Sequence, residues 1–264
     1  MKKINSIQNE TIKRIKSLQK RKFREKHAEI ILEGYRLIKD AWENGLKIKK
    51  VLFLSSIDGN KNSLVEILLE SGTEAIETDL AVFDHISETV ASQGLLAVAE
   101  MPSKETDEIM DGLPEFIIFL DCLQDPGNLG TIIRTADAAG AGLVALSSGS
   151  VDAYNGKVIR SAAGSIFHMP VIQKVTGKKF IEDLKSRGYR TLAADINGAK
   201  PFGEMSYGKK ICLVIGNEGS GIRSEILDIC HESVKIPIIG RAESLNAGVA
   251  AGILMYDIAT RKNC

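Results

Sequence analysis

The sequence predicts an α/β protein: a parallel sheet flanked by helices, preceded by a smaller α/β unit. Three observations carry this. In the second half of the 264-residue chain, short runs that are apolar throughout alternate with segments of helical periodicity. That is the pattern of strands buried on both faces by crossover helices. Three stretches, 120–140, 211–222 and 235–259, begin as such runs and break into loops rich in Gly, Asn, Ser or Glu. Polar loops gathered at the ends of buried strands are how an open α/β sheet builds a ligand site. Between the halves lies MPSKETDEIMDGLPE (101–115), with a proline near each end and five acidic residues, which reads as a linker.

Taken in order, Ile4, Ile7, Ile12, Ile15 and Leu18 form an approximate helical stripe. EIILEG (29–34) reads as a strand, followed by a helix through Tyr35, Leu37, Ile38, Ala41 and Trp42 that ends near Gly45. Next come a strand over 49–56, a helix around 62–71 and a strand over 94–101. In the second half the strands fall at 115–123, 142–148, 168–174, 190–196, 210–216 and 233–239. The domains are therefore placed at 1–105 and 106–264. No solenoid-length repeat or low-complexity tract interrupts them.

Composition is that of a soluble globular protein, with no apolar run approaching the length that spans a bilayer. The amino terminus lacks the apolar core of a signal peptide, which predicts a cytoplasmic protein. Cys122, Cys212, Cys230 and Cys264 form no CxxC pair and read as inert buried thiols. The four histidines make no metal-ligand spacing, and there is no GxSxG elbow. No metal is implied. The net charge is zero, but residues 1–50 hold 15 Lys/Arg against 6 Asp/Glu. Arg14, Lys20, Arg21, Lys22 and Arg24 lie in the densest part of this run. Such a segment can grip a phosphate backbone, and the alternative is a solvated helix face.

Within the first loop-bearing stretch, Pro126-Gly127 ends the strand, and Asn128 is placed to cap the helix opened by Leu129. Arg134 points away from the buried face of that helix and could pair with Asp137. GNEGSG (216–221) has the order G-x-x-G-x-G, so it is neither the dinucleotide fingerprint nor a P-loop. Its glycines allow close backbone approach to a ligand, with the Glu218 carboxylate among them. Ser244, Leu245 and Asn246 precede a helix of small residues, Ala247, Gly248, Ala250, Ala251 and Gly252, which permits close helix packing within the subunit or across a dimer.

PGNLGTIIRTADAAG, VIGNEGSGI and IPIIGRAESLNAGVAAGI, in this order, closely resemble the three signature motifs of the SpoU/TrmH family of RNA 2′-O-methyltransferases in the SPOUT superfamily. The resemblance covers 115–264. The first half looks like the small ribosomal-protein-like RNA-binding domain that often precedes such a catalytic domain, through ILEGYRLIKDAWENG. The resemblance implies a carboxyl-terminal trefoil knot, a homodimer, an RNA substrate (ribosomal RNA first, transfer RNA behind it) and S-adenosylmethionine as cofactor. By the same resemblance Ala193, Ala194, Gly216, Asn217, Glu218, Gly219, Ile236, Leu245 and Asn246 line the cofactor pocket. Asn128, Arg134, Ser244 and Asn246 are the catalytic set, and Arg160 is a further RNA contact, from its own subunit or the partner. A guanidinium has no acceptor and stays protonated, so Arg134 is read as a phosphate clamp rather than a base. Two other classes compete: a non-catalytic RNA-binding or ribosome-assembly protein on the same fold, and a nucleotide-dependent oxidoreductase. The intact polar motif residues weigh against the first. The missing early glycine fingerprint weighs against the second.

Overall fold

The computed structural model describes residues 2–89, 91–102, 109 and 112–261. Cys264 and most of the predicted linker, including the 105/106 boundary, lie outside the described residues. The chain divides into two compact units, Met1–Ser103 with Tyr154–Arg160, and Lys104–Ala153 with Ser161–Cys264.

The first unit contains β1 (Lys2–Ile4), α1 (Glu10–Ser17), α2 (Arg21–His27), β2 (Glu29–Glu33), α3 (Tyr35–Glu43), β3 (Ile48–Leu54), α4 (Gly59–Glu70), β4 (Glu74–Thr78), α5 (Leu80–Ile86) and β5 (Leu95–Glu100). Its sheet runs β1-β4-β3-β5-β2, with the first three strands parallel and β5 antiparallel to both neighbours. The single amino-terminal helix that the Ile4–Leu18 stripe predicts is instead a strand and a helix. Asn9 breaks it by capping α1, its side-chain oxygen accepting the Thr11 N–H at 2.9 Å. Ile7 falls in the turn and is exposed, while Ile12, Ile15 and Leu18 face the core.

The second unit holds β6 (Phe116–Leu120), α6 (Pro126–Ala138), β7 (Leu143–Ser147), α7 (Gly156–Ser161, of which all but Ser161 belongs to the first unit), β8 (Val171–Val175), α8 (Gly177–Ser186), β9 (Arg190–Ala194), β10 (Lys200–Pro201), β11 (Ile211–Ile215), α9 (Ser224–Leu227), β12 (Glu232–Lys235) and α10 (Ala247–Arg261). Its strands are parallel in the order β10-β12-β9-β11-β6-β7-β8. Ile117, Phe119, Val214, Phe180 and Ile181 build one face of the core, with the Phe119 and Phe180 rings 5.5 Å apart. From β6 the chain moves outward through β7 and β8, then returns to the other side through β9, β11 and β12. The order therefore reverses beside β6, and the first two motif loops leave from the carboxyl ends of the neighbouring strands β6 and β11.

The last strand is shorter than its apolar run predicts. It stops at Lys235 because Pro237 has no N–H for the ladder. Most of the run from Ile236 to Asn246 is exposed, and Ile239 is 99% exposed. No helix among the described residues is long and apolar enough to cross a membrane.

Candidate functional site

The strand ends set the site. Asp125 caps α6, its carboxylate accepting the Asn128 N–H at 2.8 Å, and Pro126 occupies the first turn, where its missing N–H costs nothing. Asn128 is therefore not the cap that the sequence predicts. It lies inside the first turn, 9% exposed, leaving its amide free for long-range contacts.

Those contacts join the three motif loops. Glu218, in the loop after β11, accepts the backbone N–H groups of Gln124 and Asp125 at 3.1 and 2.9 Å and the Asn128 amide at 3.0 Å. The Asn128 carbonyl oxygen accepts the Asn246 amide at 2.8 Å. Asn246 in turn caps α10, accepting the N–H groups of Gly248 and Val249 at 2.9 and 3.2 Å. Burial pushes the Glu218 carboxyl up, but the Asn128 amide and the backbone donors outweigh it and hold it below its usual range. Glu218 is thus held by two backbone amides and one side-chain amide.

Asn217 ties the same loop to the end of β6, donating to the Cys122 carbonyl at 2.9 Å while its oxygen accepts from Gly219 and Ser220. A Cβ on Gly216 would overlap the backbone of Gly221 and Ile222, so only glycine fits there. The loop borders a cavity of about 420 Å³ at the ends of β9, β11 and β12. That size suits a small organic ligand, for which pockets run from about 300 to 1,000 Å³. Ala194, Gly216, Asn217, Glu218, Gly219, Ile236, Ser244 and Leu245 all line it, as do Asp195, Ile215 and Ala250. Ala193 does not: it is fully buried within β9, where alternate residues face opposite sides of the sheet. Asn246 lies beside the cavity through its neighbours Leu245 and Ala247.

The Arg134 side chain is exposed and has no hydrogen bond or ion pair with any described residue. The Asp137 partner available to it by helical spacing is engaged elsewhere, accepting from Ser165 Oγ at 2.8 Å and lying 2.9 Å from His168 Nε2. The small-residue helix α10 packs on α6 within the subunit: a Cβ added at Gly248 would come to 3.5 Å from Thr131, and one at Gly252 to 3.6 Å from Thr135. Leu245, Val249 and Tyr256 remain exposed.

The basic segment is less uniform than its composition suggests. Lys20 and Lys22 are exposed, and Arg21 pairs with Glu25 one turn away at 2.9 Å. Arg14 grips the buried Glu29 carboxylate, with Nη2 2.8 Å from both oxygens. Arg24 must be withdrawn as an RNA contact. It is 4% exposed, and its guanidinium donates to the Leu18 and Gln19 carbonyls, which end the preceding helical turn. Arg160 belongs to the first unit and lies 3.4 Å from the Glu88 carboxylate.

Two features carry no plain sequence signal. One is an ion pair between Asp121 and Arg223, which lie 102 positions apart. The other is Cys122, which is not the buried strand residue predicted: it lies past β6 in the left-handed region at φ 54° and is partly exposed. Cys212 is fully buried and Cys230 has its thiol pushed up to about 11 by burial, so both are unreactive. Among the described residues, no group of three His, Cys, Asp or Glu is placed to hold a metal ion.

A parallel α/β unit with polar loops meeting over a cavity at its strand ends defines a small-molecule-binding class of protein. Residues 115–256 match the SpoU rRNA Methylase family and residues 9–97 the MRM3-like substrate binding domain. The chain belongs to the SpoU rRNA methylase family. It is 34% identical, over 98% of its length and 99% of the relative's, to the 23S rRNA (guanosine(2553)-2′-O)-methyltransferase RlmP of Bacillus subtilis. It also resembles the AdoMet-bound rRNA methyltransferase of Sinorhizobium meliloti, with a TM-score of 0.87, 29% identity and 98% and 97% of the two chains covered. The AdoMet complex of the SpoU methyltransferase AviRb from Streptomyces viridochromogenes gives 0.86, 27%, 97% and 99%.

Proposed function

We propose that this chain is an S-adenosylmethionine-dependent RNA 2′-O-methyltransferase that acts on a ribose of ribosomal RNA. One observation carries the reading: Glu218, Asn128 and Asn246 connect all three motif loops beside a single cavity. The cavity suits the cofactor. Ile215, Ile236 and Leu245 offer apolar walls for an adenine, and the glycine loop brings bare backbone to its edge. When bound, the cofactor would supply its sulfonium methyl to the ribose 2′-oxygen, the S–CH3 electron pair staying on sulfur in the departing S-adenosylhomocysteine and the hydroxyl proton passing to solvent.

Chain residues organise that encounter. Arg134, exposed and uncommitted, presents a planar fork suited to a phosphate and fixes the adjacent ribose. Holding the nucleophile in line is the main source of rate in a direct displacement. Its fixed positive charge also favours the oxyanion that develops as the hydroxyl proton leaves. Ser244 lines the cavity and is the candidate acceptor for that proton's first hydrogen bond. Lys20, Arg21 and Lys22, with Arg14 beside them, form the RNA grip of the first unit, and Arg160 is a further contact once released from Glu88.

The finer features of the family extend the reading. The carboxyl-terminal loops form the trefoil knot, and a second copy of the chain covers the exposed Leu245, Val249 and Tyr256. The protein works in the cytoplasm, where ribosomal RNA is made and folded.

Ribosomal RNA of the large subunit is the first substrate to test, following the name of the Bacillus subtilis relative. The experiment is to map 2′-O-methyl groups in total RNA from cells with and without the gene. Loss of one ribosomal site on deletion is the expected result; an unchanged ribosomal map with a transfer RNA site lost would move the substrate to transfer RNA.

A further inference from the structure

We propose that Arg223 is a positioning residue for the cofactor site: by gripping Asp121 it holds the 216–222 loop in the shape that S-adenosylmethionine binds. The inference rests on the cofactor reading above. Asp121 directly follows β6 and is 0% exposed, an expensive place for a carboxylate without charged donors. Arg223 supplies them. Its Nε lies 3.0 and 3.2 Å from the two carboxylate oxygens, its Nη2 lies 2.7 Å from Oδ1, and its backbone N–H reaches Oδ2 at 3.0 Å.

A buried ion pair is weak evidence for stabilisation, because apolar replacements often serve as well. The place of this pair argues for a different role. The loop enters from Ile215, which is paired in register with Leu120 of β6. It leaves at Arg223, which is returned to Asp121, the residue after Leu120. In between, Asn217 and Gly221 exchange backbone hydrogen bonds of 2.9 and 3.0 Å, closing the loop on itself. The loop is thus a stiff ring, fixed at both ends to one strand terminus. Arg223 does not line the cavity, so it acts only through this ring.

Neighbouring sequence accommodates the grip. Gly177 opens α8, and a Cβ there would come within 2.7 Å of Ile226 and 3.1 Å of Arg223 Nη2. A side chain at 177 would therefore crowd Ile226 and the guanidinium.

The test titrates the intact protein with S-adenosylmethionine by calorimetry and follows backbone amide exchange across 216–223 without ligand. Arg223→Lys keeps the charge but loses the two-pronged contact; Asp121→Asn keeps the shape but loses the charge. We expect the dissociation constant to rise about tenfold in either variant, the scale of one charged hydrogen bond, with faster exchange confined to the loop. The KM for S-adenosylmethionine should rise in step while kcat at saturation stays within about twofold. Arg190→Gln, which breaks the pair with Glu232 elsewhere in the same sheet, is the comparison and should bind normally. Wild-type affinity in Arg223→Lys and Asp121→Asn, or equal weakening in Arg190→Gln, overturns the positioning role. Failure of the unmutated protein to bind S-adenosylmethionine overturns the cofactor reading and this inference together.

Discussion

The side-chain amide of Asn246 donates to the side-chain oxygen of Asn128 across 2.8 Å, joining two motifs that lie 118 positions apart in the chain. Asn128 passes the link to Glu218, so three loops share one hydrogen-bond chain. Groups that act as one chain should not contribute independently. Asn128→Ala and Asn246→Ala should each remain folded and lower kcat about 100-fold, the effect of removing one oriented polar group at a reacting centre. The double variant should lose little more than either single one. Fully multiplicative losses in a double-mutant cycle would separate the two residues.

Arg134→Ala should fold as the wild type does, because the exposed side chain makes no hydrogen bond or ion pair with a described residue, and it should bind S-adenosylmethionine normally. Methyl transfer should fall about 100- to 1,000-fold. Arg134→Lys should recover only part of it, since an ammonium lacks the planar fork. Single-turnover transfer to RNA measures this, and wild-type turnover in Arg134→Ala would exclude the clamp.

Glu218 has a folded pKa below its ordinary 4.5, so its contribution to stability is complete above that value and lost as the pH falls through the folded pKa. Glu218→Gln should therefore lower the melting temperature at pH 7. It should also flatten the decline that the wild type shows below about pH 4.5. Parallel Tm-against-pH curves for the two proteins would contradict the sign of the shift.

Cys122 holds φ 54° without being glycine or asparagine, a conformation that costs an ordinary residue about 1–2 kcal/mol. Cys122→Gly should relieve that strain. Its gain is offset in part by the greater entropy of a glycine in the unfolded chain and by loss of the Sγ contact with the Ser148 carbonyl at 3.6 Å. Cys122→Asn keeps a side chain that tolerates this region and should raise stability by about 0.5–1 kcal/mol. Denaturant unfolding decides the matter, and destabilisation by both substitutions would show the thiol contacts to be worth more than the strain.

The sequence by itself determined the parallel α/β class, the position of nearly every strand in the second half, and the family. Uninterrupted apolar runs and motif loops of fixed composition are local signals, and locality is what a single sequence records well. It also singled out Gly216, Glu218 and Leu245, which line the cavity, and Asn246, which lies beside Leu245 in sequence. The tertiary structure alone decided how they are used. Asn128 reads locally as a helix cap, yet Asp125 takes that role and leaves its amide to bridge Glu218 and Asn246. Arg134 reads locally as a partner for Asp137, yet Ser165 and His168 claim that carboxylate and leave the guanidinium exposed. Arg24 reads as one more basic surface residue, yet it is buried against two carbonyls. For Asn128 and Asp137 the contacts go to partners distant in sequence, whereas Arg24 folds back onto carbonyls five and six residues before it. Helical spacing fixes which neighbours can meet along a chain, but only packing brings remote donors and acceptors within hydrogen-bond reach.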